Sequence, residues 1–263
     1  MLQRTEGIVL RTLPYGEADL IVTYLSPDFG LLKLFAKSPR KIKSRFGSSL
    51  EPLTHSKLSF WGKEDASLPR LTQSDIMHSF HTIRGNLGCF LRVSEMLELT
   101  ISFIPERDAN RMVFLLLLNT LNDLENNFLP VQTGNIAKDN TAIEDLLINH
   151  YKIKFLKFAG FAPKLDACGK CGKTGYCFYI SQGTILCEGC AGSGPAGNEA
   201  GFLIRISPAV SRIYNDLLTW DIAKIRRIKP SDTLILELAG ILNTHIRYVL
   251  SRPLKCKSFM PCL

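Results

Sequence analysis

The sequence predicts an α+β protein in which the strands come first along the chain and the helices follow. The first 79 residues hold short extended runs separated by turn residues, whereas apolar positions from residue 80 onward recur with a helical period. A double CxxC arrangement then falls inside the helical part. We therefore predict a strand-rich domain, a helical domain and a cysteine-rich segment that interrupts it.

Five runs within residues 1–79 have the composition of strands. Their sequences are GIVLRTL, DLIVTYL, GLLKLFA, HSKLSFW and LPRLTQSDIM. Enrichment in β-branched, leucine and aromatic residues, with Gly, Pro and Asp at the breaks, is typical of antiparallel strands. Five short strands fit a small closed barrel, and the OB-fold is the common nucleic-acid-binding barrel of this size. A different small barrel would give a similar pattern.

The helical domain is predicted over residues 80–164 and 202–263. A first apolar helical face runs from Phe80 to Ile101, and a capping box favours a third helix that Gly160 terminates. The other expected helix starts come from residues suited to N-caps. The predicted N-caps are Asp108, Thr141 with Glu144 as its capping-box partner, Ser207 followed by Pro208, and Ser231.

Four cysteines form two CxxC pairs within residues 165–201, a segment that ends in a glycine-rich linker. Fifteen residues separate the pair Cys168 and Cys171 from the pair Cys187 and Cys190, a spacing typical of four-cysteine zinc sites. Four thiolates close the coordination sphere of Zn²⁺, so we predict one structural zinc ion per chain. A redox pair and an iron–sulfur cluster are the alternatives. Cys177 lies in the predicted hairpin between the pairs and is not needed as a ligand.

The positive charge is unevenly distributed along the chain. The net charge is +8, and the stretch KLFAKSPRKIKSRFG holds six cations and no acid. Such a loop between strands can follow a phosphate backbone, and Phe35, Phe46 or Tyr24 could add a stacking surface. A solvated hairpin loop is the alternative interpretation. The candidate DNA-binding residues are Lys33, Lys37, Arg40, Lys41, Lys43, Arg45 and Phe46.

The sequence offers no positive case for catalysis. Its five histidines are scattered, it has no Walker A or HExxH motif, and no nucleophile, base and orienting group come together. The longest apolar run has seven residues, MVFLLLL, and the chain does not open with an export signal. We expect a cytoplasmic protein that is not an enzyme.

Three stretches together resemble the bacterial RecO recombination mediators. The first is GIVLRTLPYGEADLIVTYLSPDFGLLKLFAKSPRKIKSRFGSSLEP, the second is GFAPKLDACGKCGK with CEGC, and the third is RPLKCKSF near the end. The resemblance covers the chain from end to end and keeps the order of the motifs. It implies an N-terminal OB-fold, a helical domain interrupted by the zinc segment, and no catalytic centre.

The resemblance also implies a function in the RecF pathway of DNA repair. Members bind single- and double-stranded DNA, anneal complementary strands and, with RecR, help RecA replace single-strand-binding protein. A helical-domain pocket receives the C-terminal tail of single-strand-binding protein, and a location at the nucleoid is expected. Cations near the C-terminus are candidates for contacts with DNA or with that tail. These are Arg226, Arg227, Lys229, Arg252, Lys255 and Lys257.

Two functions from other classes stay open from the sequence. A zinc-dependent or redox enzyme would use the CxxC pairs, and it predicts an open metal position or a thiol that titrates well below pH 8 or so. A protein–protein adaptor without DNA binding would use the acidic middle of the chain, where residues 81–150 carry 5 basic and 9 acidic side chains.

Overall fold

The computed structural model describes residues 1–40, 44–62, 68–128, 140–191 and 203–255. The chain folds as two compact units, Met1–Pro130 and Val131–Leu263. A five-stranded barrel opens the first unit, and helices with a small three-stranded sheet form the later part of the chain. The predicted α+β fold class is confirmed. None of the described helices has the length and hydropathy that a membrane span requires.

The barrel has the strand order of an OB-fold. Its strands are β1 (Leu2–Tyr15), β2 (Asp19–Ser26), β3 (Gly30–Ala36), β4 (His55–Trp61) and β5 (Arg70–His78). The order is β1, β2, β3, β5, β4, and pairing of β4 with β1 closes the barrel. The pairs are antiparallel except for a parallel contact between β3 and β5.

Strand β1 is long enough to pair with two neighbours. Its first half, Leu2 to Ile8, pairs with β4, and its second half pairs with β2 as far as Tyr15. The register with β2 shifts between Val9 and Arg11. Such a bulge bends a strand, and here it lies where β1 passes from one partner to the other.

The barrel core follows the alternation of the strands. Inward side chains of every strand are buried, and the segment after β3 adds two more from Phe46 and Leu50. The cluster consists of Val9, Val22, Tyr24, Leu32, Leu34, Ala36, Phe46, Leu50, Leu58, Phe60 and Leu71. Period-2 patterning therefore defines the part of the core that the strands contribute, and the segment after β3 fills the rest.

Three helices complete the first unit, and their starts differ from the predicted ones. They are α1 (His81–Gly85), α2 (Leu87–Phe103) and α3 (Arg111–Phe128). The single helix expected from Phe80 to Ile101 is wrong, because Asn86 has extended backbone angles and its side chain caps the Cys89 amide. Asn110 rather than Asp108 caps α3, accepting a 3.1 Å hydrogen bond from the Val113 amide.

The connection between α2 and α3 lies directly against the turn between β2 and β3. Gly30 has a left-handed φ of +61°, and a Cβ at this position would lie 2.0 Å from the Asp108 carbonyl oxygen. Arg107 donates a backbone hydrogen bond of 3.1 Å to Leu31. Helix α3 also contacts the barrel through the His55 and Phe114 rings, whose centroids lie 5.8 Å apart.

The second unit combines helices with a small sheet. Its helices are α4 (Asn140–Phe158), α5 (Glu188–Ala191), α6 (Pro208–Thr219), α7 (Ile222–Ile225) and α8 (Asp232–Leu250). The sheet has the order β7 (Thr184–Leu186), β6 (Cys177–Tyr179), β8 (Leu203–Arg205). Helix α4 packs against both α6 and α8. Side chains from α4 reinforce this packing, as Lys152 bonds to Asn243 and Lys154 bonds to the Leu218 carbonyl.

The predicted helix ends of the second unit are confirmed at three positions and wrong at one. Ser207 and Ser231 cap α6 and α8 as predicted, with their hydroxyls accepting from Val210 and Leu234 amides. Gly160 follows α4 with a φ of +81°. Thr141 is not an N-cap, because α4 already includes Asn140.

Candidate metal centre and nucleic-acid interface

The four predicted zinc ligands come together in the second unit. The Sγ atoms of Cys168, Cys171, Cys187 and Cys190 all lie within 4.8 Å of one another. Four sulfurs placed about 2.3 Å from a tetrahedral ion are mutually separated by slightly less than 4 Å, so this arrangement has the size of a four-thiolate site. Among the described residues this is the one group of three or more such side chains able to hold a metal ion.

Two short turns supply the four sulfurs. In the first, the Cys168 amide bonds to the Lys173 carbonyl, and the Gly172 amide bonds back to the Cys168 carbonyl. Gly172 has a φ of +74°, which explains why glycine is found there. In the second, the amides of Cys190 and Ala191 both bond to the Cys187 carbonyl.

The β6–β7 hairpin brings the two turns together, as the sequence predicted. Strand β6 pairs with β7 through Cys177 and Leu186, and the Gly169 amide bonds to the Ile185 carbonyl at 2.9 Å. A Cβ on Gly169 would lie 2.7 Å from the Thr184 side chain, so the first turn needs a residue without one. Gly189 has open space around it, and we find no steric reason for glycine there.

The electrostatics of the cysteines favour a bound cation. Hydrogen bonding from the Cys187 backbone lowers the pKa of the Cys168 thiol to about 6, and the Cys190 backbone lowers the pKa of Cys187. Hydrogen bonds from Cys171 and Cys187 instead raise the pKa of Cys190 to about 12. The cluster therefore holds thiolates readily at some positions and a proton at another, and a divalent cation would replace that proton.

The described cysteines outside the cluster are separate from it. Cys177 is buried in β6 and belongs to the sheet, while Cys89 is buried in α2. All six described cysteines are free thiols. Cys256 and Cys262 lie outside the described residues.

The cationic loop leaves the barrel at one rim. Lys37 and Arg40 follow β3 and are exposed, and Arg45 is exposed on the other side of the loop. The Ser38 amide bonds to the Asp19 carboxylate at 2.6 Å, and the Arg40 amide bonds to the Ala18 carbonyl at 3.3 Å. These bonds hold the start of the loop against the β1–β2 turn. Lys41 and Lys43 lie outside the described residues.

Two of the predicted DNA-binding residues are placed differently from the rest. Lys33 forms an ion pair with Glu106, so its charge is already partnered. Phe46 is only 3% exposed and packs in the barrel core, as does Tyr24. Neither ring offers a free face to a base, so the stacking surface suggested for them is corrected. The Arg45 guanidinium lies 4.9 Å from the Phe46 ring centre.

Other aromatic residues lie at the rim instead. Tyr15, the last residue of β1, contacts Phe35 edge to face with ring centres 5.8 Å apart. Trp61, the last residue of β4, is 59% exposed. Tyr15 and Trp61 each lie where a predicted strand ends, which is a sign in the sequence that the residue lies at a rim. The sequence does not show which strand ends lie at the same rim, because the two residues are far apart along the chain.

The cations near the C-terminus occupy two exposed places. Arg226, Arg227 and Lys229 follow α7, and Arg252 and Lys255 follow α8. Lys257 lies outside the described residues. All five described side chains are on the surface, where they are accessible to a polyanion.

The histidines do not form a catalytic arrangement among the described residues. His55 pairs with Glu6 and His78 with Glu125, both within the first unit. In the second unit His245 contacts the Phe161 carbonyl at 2.8 Å. Burial lowers the pKa values of His150 and His245, that of His150 to about 4. These contacts are structural and join segments distant in the chain.

Fold and site define a class: an OB-fold protein with a cationic rim and a helical unit that carries a four-cysteine cluster. Two family models match the chain, described as Recombination protein O N terminal over residues 1–80 and Recombination protein O C terminal over residues 91–258. The chain therefore belongs to the RecO family of DNA repair proteins.

Individual relatives agree along nearly the whole chain. A DNA repair protein RecO of Thermodesulfovibrio yellowstonii is 44% identical over 247 residues, 94% of this chain and 92% of the relative. That of Syntrophus aciditrophicus is 32% identical, with 96% and 92% covered. A RecO protein of Dehalococcoides mccartyi strain 195 is 31% identical, with 99% and 95% covered.

Proposed function

We propose that this chain is a non-enzymatic recombination mediator that binds single- and double-stranded DNA without sequence specificity. The observation that carries the proposal is the set of exposed cations at one rim of an OB barrel in a member of the RecO family. Cations at a barrel rim neutralise phosphates, and phosphate contacts carry no base information. The protein acts in the bacterial cytoplasm, at the nucleoid.

Annealing follows from the same charge. Two complementary strands repel each other, and a protein that neutralises phosphates on both lowers the barrier to their approach. No bond is made or broken in this process, so no catalytic residue is required. The exposed cations after α7 and α8 give the second unit its own candidate surface for the second strand or for an acidic protein tail.

The metal is proposed to be zinc with a structural role. Four cysteine thiolates leave no coordination position for substrate or water, which is the arrangement of structural zinc sites. Bound zinc supplies cross-linking of the two cysteine turns. The chain's own residues then hold the segment in place, since the Lys164 amide donates to the Gly183 carbonyl and the Lys164 carbonyl accepts from the Ile185 amide of β7.

The proposed partners are RecR, the C-terminal tail of single-strand-binding protein and, indirectly, RecA. The acidic tail is attracted by cations, and Arg226, Arg227 and Lys229 supply three on one connection. With RecR, the protein would help RecA load onto DNA coated with single-strand-binding protein.

The experiment is strand annealing with purified protein. Complementary oligonucleotides, one of them labelled at each end for energy transfer, are mixed with and without single-strand-binding protein. We expect the protein to accelerate annealing of both naked and coated strands at low salt. Unchanged annealing rates, together with no binding to either DNA form, would reject the mediator function.

A redox function is the second candidate, because the pKa of Cys168 lies near 6. A reactive cysteine must also be accessible, and Cys168 is only 4% exposed. Alkylation of the zinc-loaded protein separates the two functions. The structural role predicts four unreactive cluster cysteines and one metal ion per chain, while rapid modification of one thiol without metal loss would support the redox role.

A further inference from the structure

Three neighbouring strands place outward side chains in one row at the barrel rim. Phe35 of β3 is the register partner of Arg70 in β5, and Arg70 is the register partner of Trp61 in β4. Register partners point to the same face of a sheet. That face is outward here, because the chain neighbours of the three residues are core residues, Leu34, Phe60 and Leu71.

The row alternates aromatic and cationic groups. Trp61 is 59% exposed, and Phe35 is half-buried with Tyr15, itself 54% exposed, against its edge. Arg70 is exposed between them. Single exposed aromatics are ordinary on protein surfaces, but two aromatics in register on either side of a guanidinium have the composition of a surface on which bases stack.

The row is continuous with the cationic loop. Phe35 is next to last in β3, and Lys37 and Arg40 follow this strand. Trp61 ends β4, and Arg70 begins β5. The cations and the aromatics therefore lie at the same rim of the barrel.

The spacing of the row selects among nucleic acids. Phe35 and Trp61 are two strand spacings apart, roughly 10 Å. Bases stacked on each other in a duplex rise by only about 3.4 Å per step. Bases that contact both rings must therefore be separated from each other, which a single strand permits at little cost and a duplex does not.

We propose that Phe35, Arg70 and Trp61 form a base-stacking platform that makes the protein prefer single-stranded over double-stranded DNA. The platform rests on the proposed function and assigns the strand preference to particular residues. The loop cations contact phosphates in either form of DNA. The platform adds affinity only where bases are unpaired.

The first test uses tryptophan fluorescence. The chain has 2 tryptophans, Trp61 and Trp220, and Trp220 lies in the second unit. In the variant Trp220→Phe, oligo(dT) should quench the remaining emission because thymine stacks on Trp61. The matched variant Trp61→Phe reports Trp220 alone, and its emission should be quenched less. Unchanged emission of the Trp220→Phe variant at saturating DNA would overturn the platform.

The second test compares three oligonucleotides of equal length: oligo(dT), an abasic strand and a duplex. Trp61→Ala should weaken oligo(dT) binding by roughly 5- to 150-fold, the range for loss of one stacked base, while abasic and duplex binding change less than about twofold. Trp61→Phe, which keeps a ring, should restore most of the affinity. Thermal unfolding of each variant verifies that the barrel is intact.

The outcomes separate this inference from the function on which it rests. If the unmodified protein binds none of the three ligands, the DNA-binding function and the platform are both rejected. If it binds all three and Trp61→Ala weakens them equally or not at all, DNA binding stands and the platform is overturned.

Discussion

Gly30 and Gly16 share a left-handed backbone conformation but differ in what surrounds them. Both have a φ of +61°, yet a Cβ on Gly30 would meet the Asp108 backbone, whereas one on Gly16 would have nothing within 4 Å. Gly16→Ala should therefore cost about 1 kcal/mol, the penalty of the backbone conformation alone. Gly30→Ala should cost about 2 to 5 kcal/mol, because steric overlap adds to that penalty.

Urea unfolding of the two variants measures this difference. The m-values should stay equal to that of the unmodified protein, so the change lies in the midpoint. Equal destabilisation by the two substitutions would show that the turn and the α2–α3 connection are not in contact as described.

His150 should make folding stability depend on pH. Burial, followed by the nearby charge of Lys154, lowers the pKa of His150 to about 4 in the folded state, below its ordinary value of 6.5. Below pH 6.5 the unfolded chain takes up a proton at this histidine that the folded chain excludes. The contribution of His150 to the free energy of unfolding is therefore fully present above pH 6.5 and decreases as the pH falls toward 4. The loss between pH 7 and pH 5 should be about 2 kcal/mol.

The variant His150→Phe provides the comparison. Phenylalanine fills a similar volume and cannot titrate, so the variant should lose about 2 kcal/mol less than the unmodified protein over the same interval. Cysteine protonation contributes to both proteins and cancels in the difference. Parallel pH profiles would show that His150 is not held in its neutral form.

At the residue scale, the metal ligands could be predicted because their spacing in the sequence is characteristic. The burial of residues outside the strands could not be predicted. Two CxxC pairs identified all four clustered cysteines, because a tetrahedral ion requires ligands at close spacing. Phe46 was misplaced, because it follows the strands and only the closed barrel shows that it fills the core. The ion pair of Lys33 could not be predicted from the sequence, because its partner Glu106 lies 73 residues away.

At the scale of elements, helix starts were predictable only where a cap had few competitors. Ser207 precedes a proline, which fixes the first turn, and it does cap α6. Near α3 both Asp108 and Asn110 are good caps, and tertiary contact of Asp108 with Gly30 leaves Asn110 as the cap. The break between α1 and α2 at Asn86 was missed, because the apolar residues keep a helical spacing across it and a single extended residue does not change that spacing.

Metal removal should unfold the cysteine segment before the helices. The segment has two strands of three residues each, too little to form a core, and thiolate-bound zinc can contribute on the order of 10 kcal/mol to its order. After chelation, hydrogen exchange should accelerate across 165–191 while α4 and α8 stay protected. Exchange that is equal with and without metal would contradict a structural role.

Two serine variants identify the ligands within this element. Cys171→Ser should lower the metal content below one ion per chain, since it removes one of the four clustered sulfurs. Cys177→Ser is the matched control, because Cys177 lies in the same hairpin but outside the cluster, and it should keep one ion per chain. Metal loss from both variants would show that the ion binds elsewhere.

At the scale of the whole molecule, the contacts group the elements differently from the order of strands and helices. The sequence divides the chain at residues 79 and 80, with the zinc insertion at 165–201 inside a helical domain. The two compact units instead divide at Pro130 and Val131, and α1–α3 belong with the barrel. The period of the apolar residues shows whether a segment is a helix or a strand, but not the surface against which it packs. The predicted domain boundaries stay predictions.

The central claim is that the cationic loop at the barrel rim contacts DNA phosphates. The salt dependence of single-strand binding measures the number of those contacts, with a log–log slope of about −0.7 for each phosphate. Five contacts, one each from Lys37, Arg40, Lys41, Lys43 and Arg45, give a slope of about −3.5. The loop variant combines four substitutions, Arg40→Ala, Lys41→Ala, Lys43→Ala and Arg45→Ala. It should bind single strands more weakly, and the magnitude of its log–log slope should be smaller by about 3. The matched variant Arg226→Ala, Arg227→Ala and Lys229→Ala removes cations of the second unit and should leave most of the slope.

This titration tests the account most directly. A flattened slope in the loop variant, with most of the slope kept in the second-unit variant, is the predicted result. An unchanged affinity and slope in the loop variant would contradict it and remove the barrel rim from the DNA-binding surface.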